Sequence, residues 1–230
     1  MGIADNYRRL RDAVPQHVNI VVAAKQRTPV EVQEVIEAGA QHIGENYVQE
    51  AQALFLALGE AAQRVTWHMI GHLQKNKINK ALPIIDVVQT VDSLEAAVMI
   101  DKRVQGAGKS RIPILLEMNV GNEESKSGIR PEQHEQFEDF MLELIDAIGD
   151  LRHVSVQGLM TMGPFSGEAE DLRPHFRSVR KVYETVATAR PNGSMQYLSM
   201  GMSNSYLVAI EEGANMIRLG TAIFGPRSSG

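Results

Sequence analysis

The 230-residue sequence has no cysteine, a single tryptophan, and only 5% aromatic residues in all. Without cysteine there is no disulfide framework, no thiolate metal site and no thiol nucleophile. Positive charge is not in excess either. Lys and Arg number 23 against 28 Asp and Glu, a net charge of -5, whereas broad nucleic-acid binding needs a concentrated basic surface. No uncharged run is long enough to span a bilayer. Met1 to Gln16 is polar and amphipathic, with Arg8, Arg9 and Arg11 where a secretory leader would have an apolar stretch. These absences predict a cytoplasmic protein that binds neither membrane nor nucleic acid. No Pro/Gly/Ser-rich linker divides the chain, and 43% hydrophobic residues are ample for a sizeable core. One domain over residues 1–230 is expected, with Ser228-Ser229-Gly230 as a frayed tail of no assigned role.

What the sequence does contain is an alternation. Apolar, β-branched runs recur at Val18–Ala24, Gln41–Gly44, Thr66–Ile70, Ile85–Gln89, Ile112–Val120, Val154–Met160, Gln196–Met200 and Met216–Leu219. Helical stretches separate them, at 29–39, 45–60, 75–81, 92–105, 131–148, 169–189 and 203–212, with a short helix after Gly220. Thr28-Pro29-Val30-Glu31 supplies a capping residue, a first-turn proline and a glutamate to complete a capping box. Asp92 and Ser203 are the expected caps of two later helices. Eight strand–helix units imply a parallel sheet, since parallel neighbours need crossover helices. The expected fold is a single α/β (β/α)8 TIM barrel, with an extra N-terminal helix at 3–13. An open dinucleotide-binding sheet would show a glycine fingerprint after its first strand, where this chain has Ala23-Ala24-Lys25-Gln26.

Some motifs are decoys. Gly106-Ala107-Gly108-Lys109-Ser110 resembles the end of a phosphate-binding loop, but Arg103 stands where the upstream glycine belongs, and the segment follows a helix rather than a strand. His68 and His72 have a zinc-like spacing without the accompanying glutamate, so no metal is expected. Gly201-Met202-Ser203-Asn204-Ser205 fails the nucleophile-elbow pattern at its fifth position.

In a barrel, the C-terminal ends of the strands face the site, and phosphate commonly sits at the loops after strands seven and eight. Those loops hold Ser203 and Gly220-Thr221, hydroxyls and open backbone suited to an anion. Strand one ends in Lys25. A partly desolvated lysine amine attacks carbonyls, so phosphate and lysine together suit a phosphorylated aldehyde. That description covers both a class I aldolase working on a sugar phosphate and pyridoxal phosphate held as a Schiff base. Arg218, two residues before Gly220, is expected to point into the barrel. A cation at a pyridine nitrogen disfavours ring protonation, which suits holding such a cofactor more than using it as a strong electron sink.

The segments Val22-Ala23-Ala24-Lys25, Gly44-Glu45-Asn46-Tyr47-Val48-Gln49-Glu50, Trp67 to Lys77, Glu124-Ser125-Lys126-Ser127-Gly128, Leu198 to Ser203 and Arg218 to Gly225 follow one another over nearly the whole chain. In these the sequence resembles the pyridoxal phosphate homeostasis family, single-domain relatives of the alanine racemase N-terminal barrel. The resemblance implies that Lys25 forms the Schiff base. It implies that Ser203, Gly220 and Thr221 take the cofactor phosphate, that Arg218 approaches the pyridine nitrogen, and that Asn46 and Met200 line the pocket. Gln26 departs from the threonine that many relatives have after the lysine.

The implied function is to bind pyridoxal 5'-phosphate and buffer or deliver it for vitamin B6 homeostasis, with apo pyridoxal phosphate enzymes as acceptors and without turnover. The chain is expected to be a monomer or weak oligomer. It stops after its eighth strand and final short helix, so the second domain that gives a two-domain racemase its other base is not expected. The enzymatic alternative is a one-base racemase or lyase, with Lys25 or His68 as proton shuttle.

Overall fold

The computed structural model describes residues 2–121, 123, 127–163, 168–190 and 195–226. Glu124-Ser125-Lys126 and the tail at 228–230 therefore lie outside the described residues. Eight parallel strands close in sequence order, β1 pairing with both β2 and β8. They are β1 (Asn19–Ala23), β2 (His42–Glu45), β3 (Thr66–Met69), β4 (Val87–Val91), β5 (Ile112–Glu117), β6 (Val154–Met160), β7 (Tyr197–Ser199) and β8 (Met216–Leu219). The helices are α1 (Ile3–Ala13), ahead of the first strand, then α2 (Pro29–Glu37), α3 (Val48–Leu58), α4 (Ile78–Ala81), α5 (Leu94–Val104), α6 (Phe137–Gly149), α7 (Arg173–Ala189), α8 (Tyr206–Glu211) and α9 (Thr221–Phe224). This is the TIM barrel that the alternation predicts, extra helix included. Among the described residues no helix is long and apolar enough to cross a membrane.

Local chemistry explains where the elements begin. At α2 the capping box forms in full: Thr28 Oγ1 accepts the Glu31 N–H at 3.3 Å, and Glu31 Oε2 accepts the Thr28 N–H at 2.7 Å. The cap of α5 is Ser93, not Asp92. Ser93 Oγ accepts the Ala96 N–H at 3.2 Å while also donating to Asp92 Oδ1 at 3.3 Å. β4 begins two residues later than the apolar run suggests, because Asp86 is used as a clamp. Its N–H bonds Trp67 O at 2.8 Å and its Oδ2 accepts the Trp67 N–H at 3.0 Å. The stretch at 131–148 divides into a short 3-10 turn at Pro131–Gln133 and α6.

Two apolar layers result. The larger lies between the strands and the helix ring and includes Ile20, Val22, Trp67, Val88, Phe176 and Ile217. The smaller fills the barrel itself, from Val21, Ile70, Leu115, Met160 and Met216. Residues of β1 and β8 alternate between the two, so Lys25 and Arg218 fall on the inward face with Val21 and Met216.

The rim loops after β2 and β3 touch backbone to backbone. A Cβ at Gly71 would lie 2.4 Å from the Asn46 carbonyl oxygen and 2.7 Å from its Cα, while the Gly71 carbonyl accepts the Thr90 hydroxyl at 2.9 Å. Gly71→Ala is expected to lower stability by about 1–3 kcal/mol, an overpacking cost with no flexible side chain to absorb it. Gly106→Ala, where a Cβ meets nothing within 4 Å, is the neutral control. Thermal unfolding of the two variants checks this; equal melting temperatures would contradict it.

Candidate functional site

Lys25 stands on a tight turn just past β1. The Arg27 N–H bonds the Ala24 carbonyl at 2.9 Å. Gln26 has φ +59, the only positive φ outside glycine among the described residues. A side chain there costs roughly 1–2 kcal/mol, so the turn needs outside support. Glu50 Oε2 accepts the Gln26 N–H at 3.1 Å, and Arg27 Nη2 donates to Gly225 O at 2.8 Å with its guanidinium over the Phe224 ring. The Lys25 ammonium makes no hydrogen bond or ion pair within the described residues; its Nζ lies 5.1 Å from the centre of the Tyr47 ring.

Beside the turn, the loops after β7 and β8 are stitched by Ser203. Its Oγ accepts the N–H groups of both Gly220 and Ala222 at 3.2 Å. Ser203 therefore caps α9, seventeen residues away in sequence from Gly220, and not the α8 helix that follows it. That helix starts at Tyr206 without a side-chain cap. The Ser203 hydroxyl proton has no acceptor among the described residues, and Thr221 is exposed with its hydroxyl unused. Gly201 opens this loop at φ +93, where a Cβ would meet the Ala209 methyl at 2.5 Å. The result is a small cradle of spare donors, suited to an anion.

Beneath the mouth a polar chain crosses the barrel. Arg218, 3% exposed, donates from Nη1 to Ser199 Oγ and from Nη2 to Thr161 O, both at 2.7 Å. Ser199 Oγ donates to Gln89 Oε1 at 2.7 Å, Gln89 Nε2 lies 2.9 Å from His68 Nδ1, and His68 Nε2 lies 3.1 Å from His42 Nδ1. A guanidinium only donates, so the polarity of every link is fixed. Ser199 accepts from Arg218 and gives its proton to Gln89. The Gln89 amide then donates to His68 Nδ1, and His68 donates from Nε2 to His42. Both imidazoles must be neutral for this, and burial acts the same way. It lowers His42, and it lowers His68 to about 3 with the His42 ring adding to the effect. Burial also lowers Arg218, to about 10, against the pull of Glu117.

The structure thus brings together Lys25, Ser203, Arg218, Gly220 and Thr221 on and around the paired strands β1 and β8. Asn46 walls a neighbouring cleft of about 440 Å3 with Gly71, His72, Lys77, Glu117 and Met162, joined to the lysine by Tyr47. Met200 does not line the mouth. It is wholly buried in the outer core, one residue past inward-facing Ser199. His68 lies deeper than Ile70, which follows β3, and both its ring nitrogens are engaged by Gln89 and His42. His72 is exposed while His68 faces inward, so the two do not pair, and the described residues hold no metal-binding cluster of three or more His, Asp or Glu. The sequence reading gave no role to Gln89, Ser199, His42 or Glu117. Their one signal is a polar side chain within an apolar strand run.

A second missed group is Glu45, at the end of β2. It is 1% exposed and its Oε2 has no partner. Burial, reinforced by the charge of Glu50, pushes its carboxyl up to about 8. His68 and Glu45 act on stability with opposite signs. The unfolded chain binds the extra proton at His68 between pH 6.5 and about 3, so stability falls with acidity there. The folded chain binds the extra proton at Glu45 between pH 4.5 and about 8, so stability falls with alkalinity there. Each contributes about 1.4 kcal/mol per pH unit at most. Below pH 6.5 the lowered His42 adds to His68 and outweighs Glu45, so stability is expected to fall gently toward acid, and between 6.5 and about 8 it falls toward alkali through Glu45. Urea unfolding across pH checks it, with Glu45→Gln expected to remove the alkaline decline between 6.5 and 8.

Comparison with known proteins agrees with this geometry. The family described as alanine racemase, N-terminal domain, matches residues 2–228. The pyridoxal phosphate homeostasis protein of Aquifex aeolicus is 37% identical over 207 residues, 89% of this chain and 85% of that one. Its Helicobacter pylori counterpart (strain 26695) is 32% identical over 220 residues, 94% and 92% of the two chains. Among solved structures, PipY of Synechococcus elongatus with pyridoxal phosphate bound superposes with a TM-score of 0.86 at 30% identity, covering 97% of this chain and all of that one. An alanine racemase of Clostridium difficile shares the fold at 14% identity and a TM-score of 0.74. With a barrel of this topology, a lysine closing its first strand and relatives this similar over nearly their full length, the chain belongs to the pyridoxal phosphate homeostasis protein family.

Proposed function

We propose that this chain binds pyridoxal 5'-phosphate at the mouth of the barrel through Lys25, and holds and releases it without turnover of its own. The observation that carries the reading is the meeting of two chemistries on paired strands. One is a lysine amine on a braced turn after β1. The other is the pair of loops after β7 and β8, where Ser203 closes on Gly220 and Ala222 and the Ser203 and Thr221 hydroxyl protons stay unused among the described residues. The donor set fits the group: a phosphate takes hydroxyl and amide protons, and an aldehyde takes an amine. When bound, the cofactor supplies that aldehyde and an electron-withdrawing ring.

The residues divide the work. The Lys25 amine is the group that would hold the aldehyde reversibly, with water as the only other participant in holding or freeing it for an acceptor enzyme. Ser203 and Thr221 offer hydroxyl protons to the phosphate. Arg218 presents a fixed positive charge from within the barrel. A permanent cation facing the pyridine nitrogen would keep that nitrogen unprotonated, which weakens the ring as an electron sink. Holding is favoured over carbanion chemistry. His68, with its Nδ1 accepting from Gln89 and its Nε2 donating to His42, has no free lone pair to serve as a second base.

The test is an absorbance spectrum of the protein after addition of pyridoxal phosphate, followed by borohydride reduction and peptide mass mapping. A visible band and a reduced adduct on Lys25 are expected. Lys25→Ala should lose both with an unchanged circular dichroism spectrum, since the residue lies on the rim and not in either core. An adduct on another lysine would overturn the assignment. Steady racemisation or cleavage of an amino acid, abolished in Lys25→Ala, would overturn the absence of turnover.

A further inference from the structure

The turn that carries Lys25 cannot hold itself. Gln26 sits at φ +59, a conformation that asparagine or glycine adopts far more readily than glutamine. Its N–H points out of the barrel to Glu50 Oε2, at 3.1 Å, on α3. Tyr47, the residue that opens the same helix, places its ring 5.1 Å from Lys25 Nζ. One helix thus grips the lysine segment twice, at the backbone through Glu50 and at the side chain through Tyr47. On the far side, Arg27 ties the same turn to Gly225, just past α9 and the anion cradle. Glu50 shares a cleft with Glu45, whose carboxyl is shut off from water with one oxygen unpartnered.

We propose that Glu50 is a positioning residue for Lys25, its side chain acting as the backbone acceptor that keeps the 24–27 turn closed and the amine aimed into the mouth. The proposal rests on Lys25 being the residue that joins the cofactor. Glu50 contributes no proton and touches no ligand; it acts by accepting one N–H. Loss of that acceptor leaves a strained glutamine free to relax to negative φ, and the amine loses its aim.

Three substitutions at one position separate a hydrogen-bond role from a charge role. Glu50→Ala removes the acceptor. Glu50→Asp keeps the charge but shortens the reach by one methylene. Glu50→Gln loses the charge but keeps a carbonyl oxygen at the same reach. The measurements are the rate of borohydride-trappable adduct formation on Lys25 with added pyridoxal phosphate, and hydrogen exchange of the Gln26 amide in the protein without cofactor. Glu50→Ala and Glu50→Asp are expected to slow trapping about tenfold and to speed Gln26 exchange by at least as much, with Glu50→Gln recovering both. Should Glu50→Ala fail to fold, the Asp and Gln variants decide between them. The reverse pattern, Asp recovering and Gln failing, would overturn the proposal, as would wild-type trapping rates in all three. A wild-type protein that forms no adduct on Lys25 would instead fail the cofactor reading, while the exchange of Gln26 would still report whether Glu50 closes the turn.

Discussion

A guanidinium carries its charge at any ordinary pH, so burying one obliges the surrounding fold to provide acceptors. Arg218 makes that demand at the centre of this barrel. Thr161 answers with a carbonyl, and Ser199 with a hydroxyl whose own proton must then go elsewhere. Gln89 takes it, His68 takes the next and His42 the last. Five strands are joined by this one line of hydrogen bonds, because each partner comes from a different one (β8, β7, β4, β3 and β2). The interior packing follows from it. Where the chain passes, the barrel is filled by polar groups with fixed orientation, and the five apolar side chains around Val21 and Ile70 occupy the rest.

The framework was legible in the sequence to a degree that the interior was not. Eight apolar runs between capped helices specify a closed parallel barrel because few other topologies accept that many crossovers. The placement of Lys25 past β1 and of Gly220-Thr221 past β8, at one mouth of the barrel, was legible too. Which face a residue takes within a strand was harder to read. A parallel strand buried on both sides shows no alternation, and β4 is buried at all five positions. Gln89 in Val-Val-Gln-Thr-Val gives no sign that it is the pivot of a chain. Of Ser199 and Met200, Ser199 is the inward one and Met200 packs in the outer core. Ser203 was misread for a different reason. A serine near a helix start suggests a cap for that helix, but its partners come from the next strand's loop, a contact no local pattern encodes.

Support for the lysine is likewise non-local. Gln26 looks like an unremarkable replacement for threonine, yet it occupies the one left-handed position outside glycine among the described residues. A turn of that kind is stable only when something distant over-determines it. Here α3 and the end of α9 do so from opposite sides. The segment Gly44 to Glu50 accordingly works as a unit. Gly44 lies flat against the interior, with Val21 and Ile70 within 2.9 Å of where its Cβ would be. Glu45 is sealed from water, Tyr47 flanks the amine, and Glu50 holds the backbone.

The pairing of β1 with β8 joins the two ends of the chain, Asn19 to Met216 and Val22 to Leu219. Such a contact has the longest loop to close and forms against the largest entropy. The seam beside it is thin as well, since β7 meets β8 in register only at Ser199 and Met216. Lys25 projects from one edge of this closure and the anion cradle from the other. A molecule that touched both would find no site on an open or half-folded chain, and would act as a clasp on the finished cylinder. Loading and release of such a molecule would then be inseparable from how tightly the first and last strands stay zipped, and its loss would leave β1 and β8 easier to part.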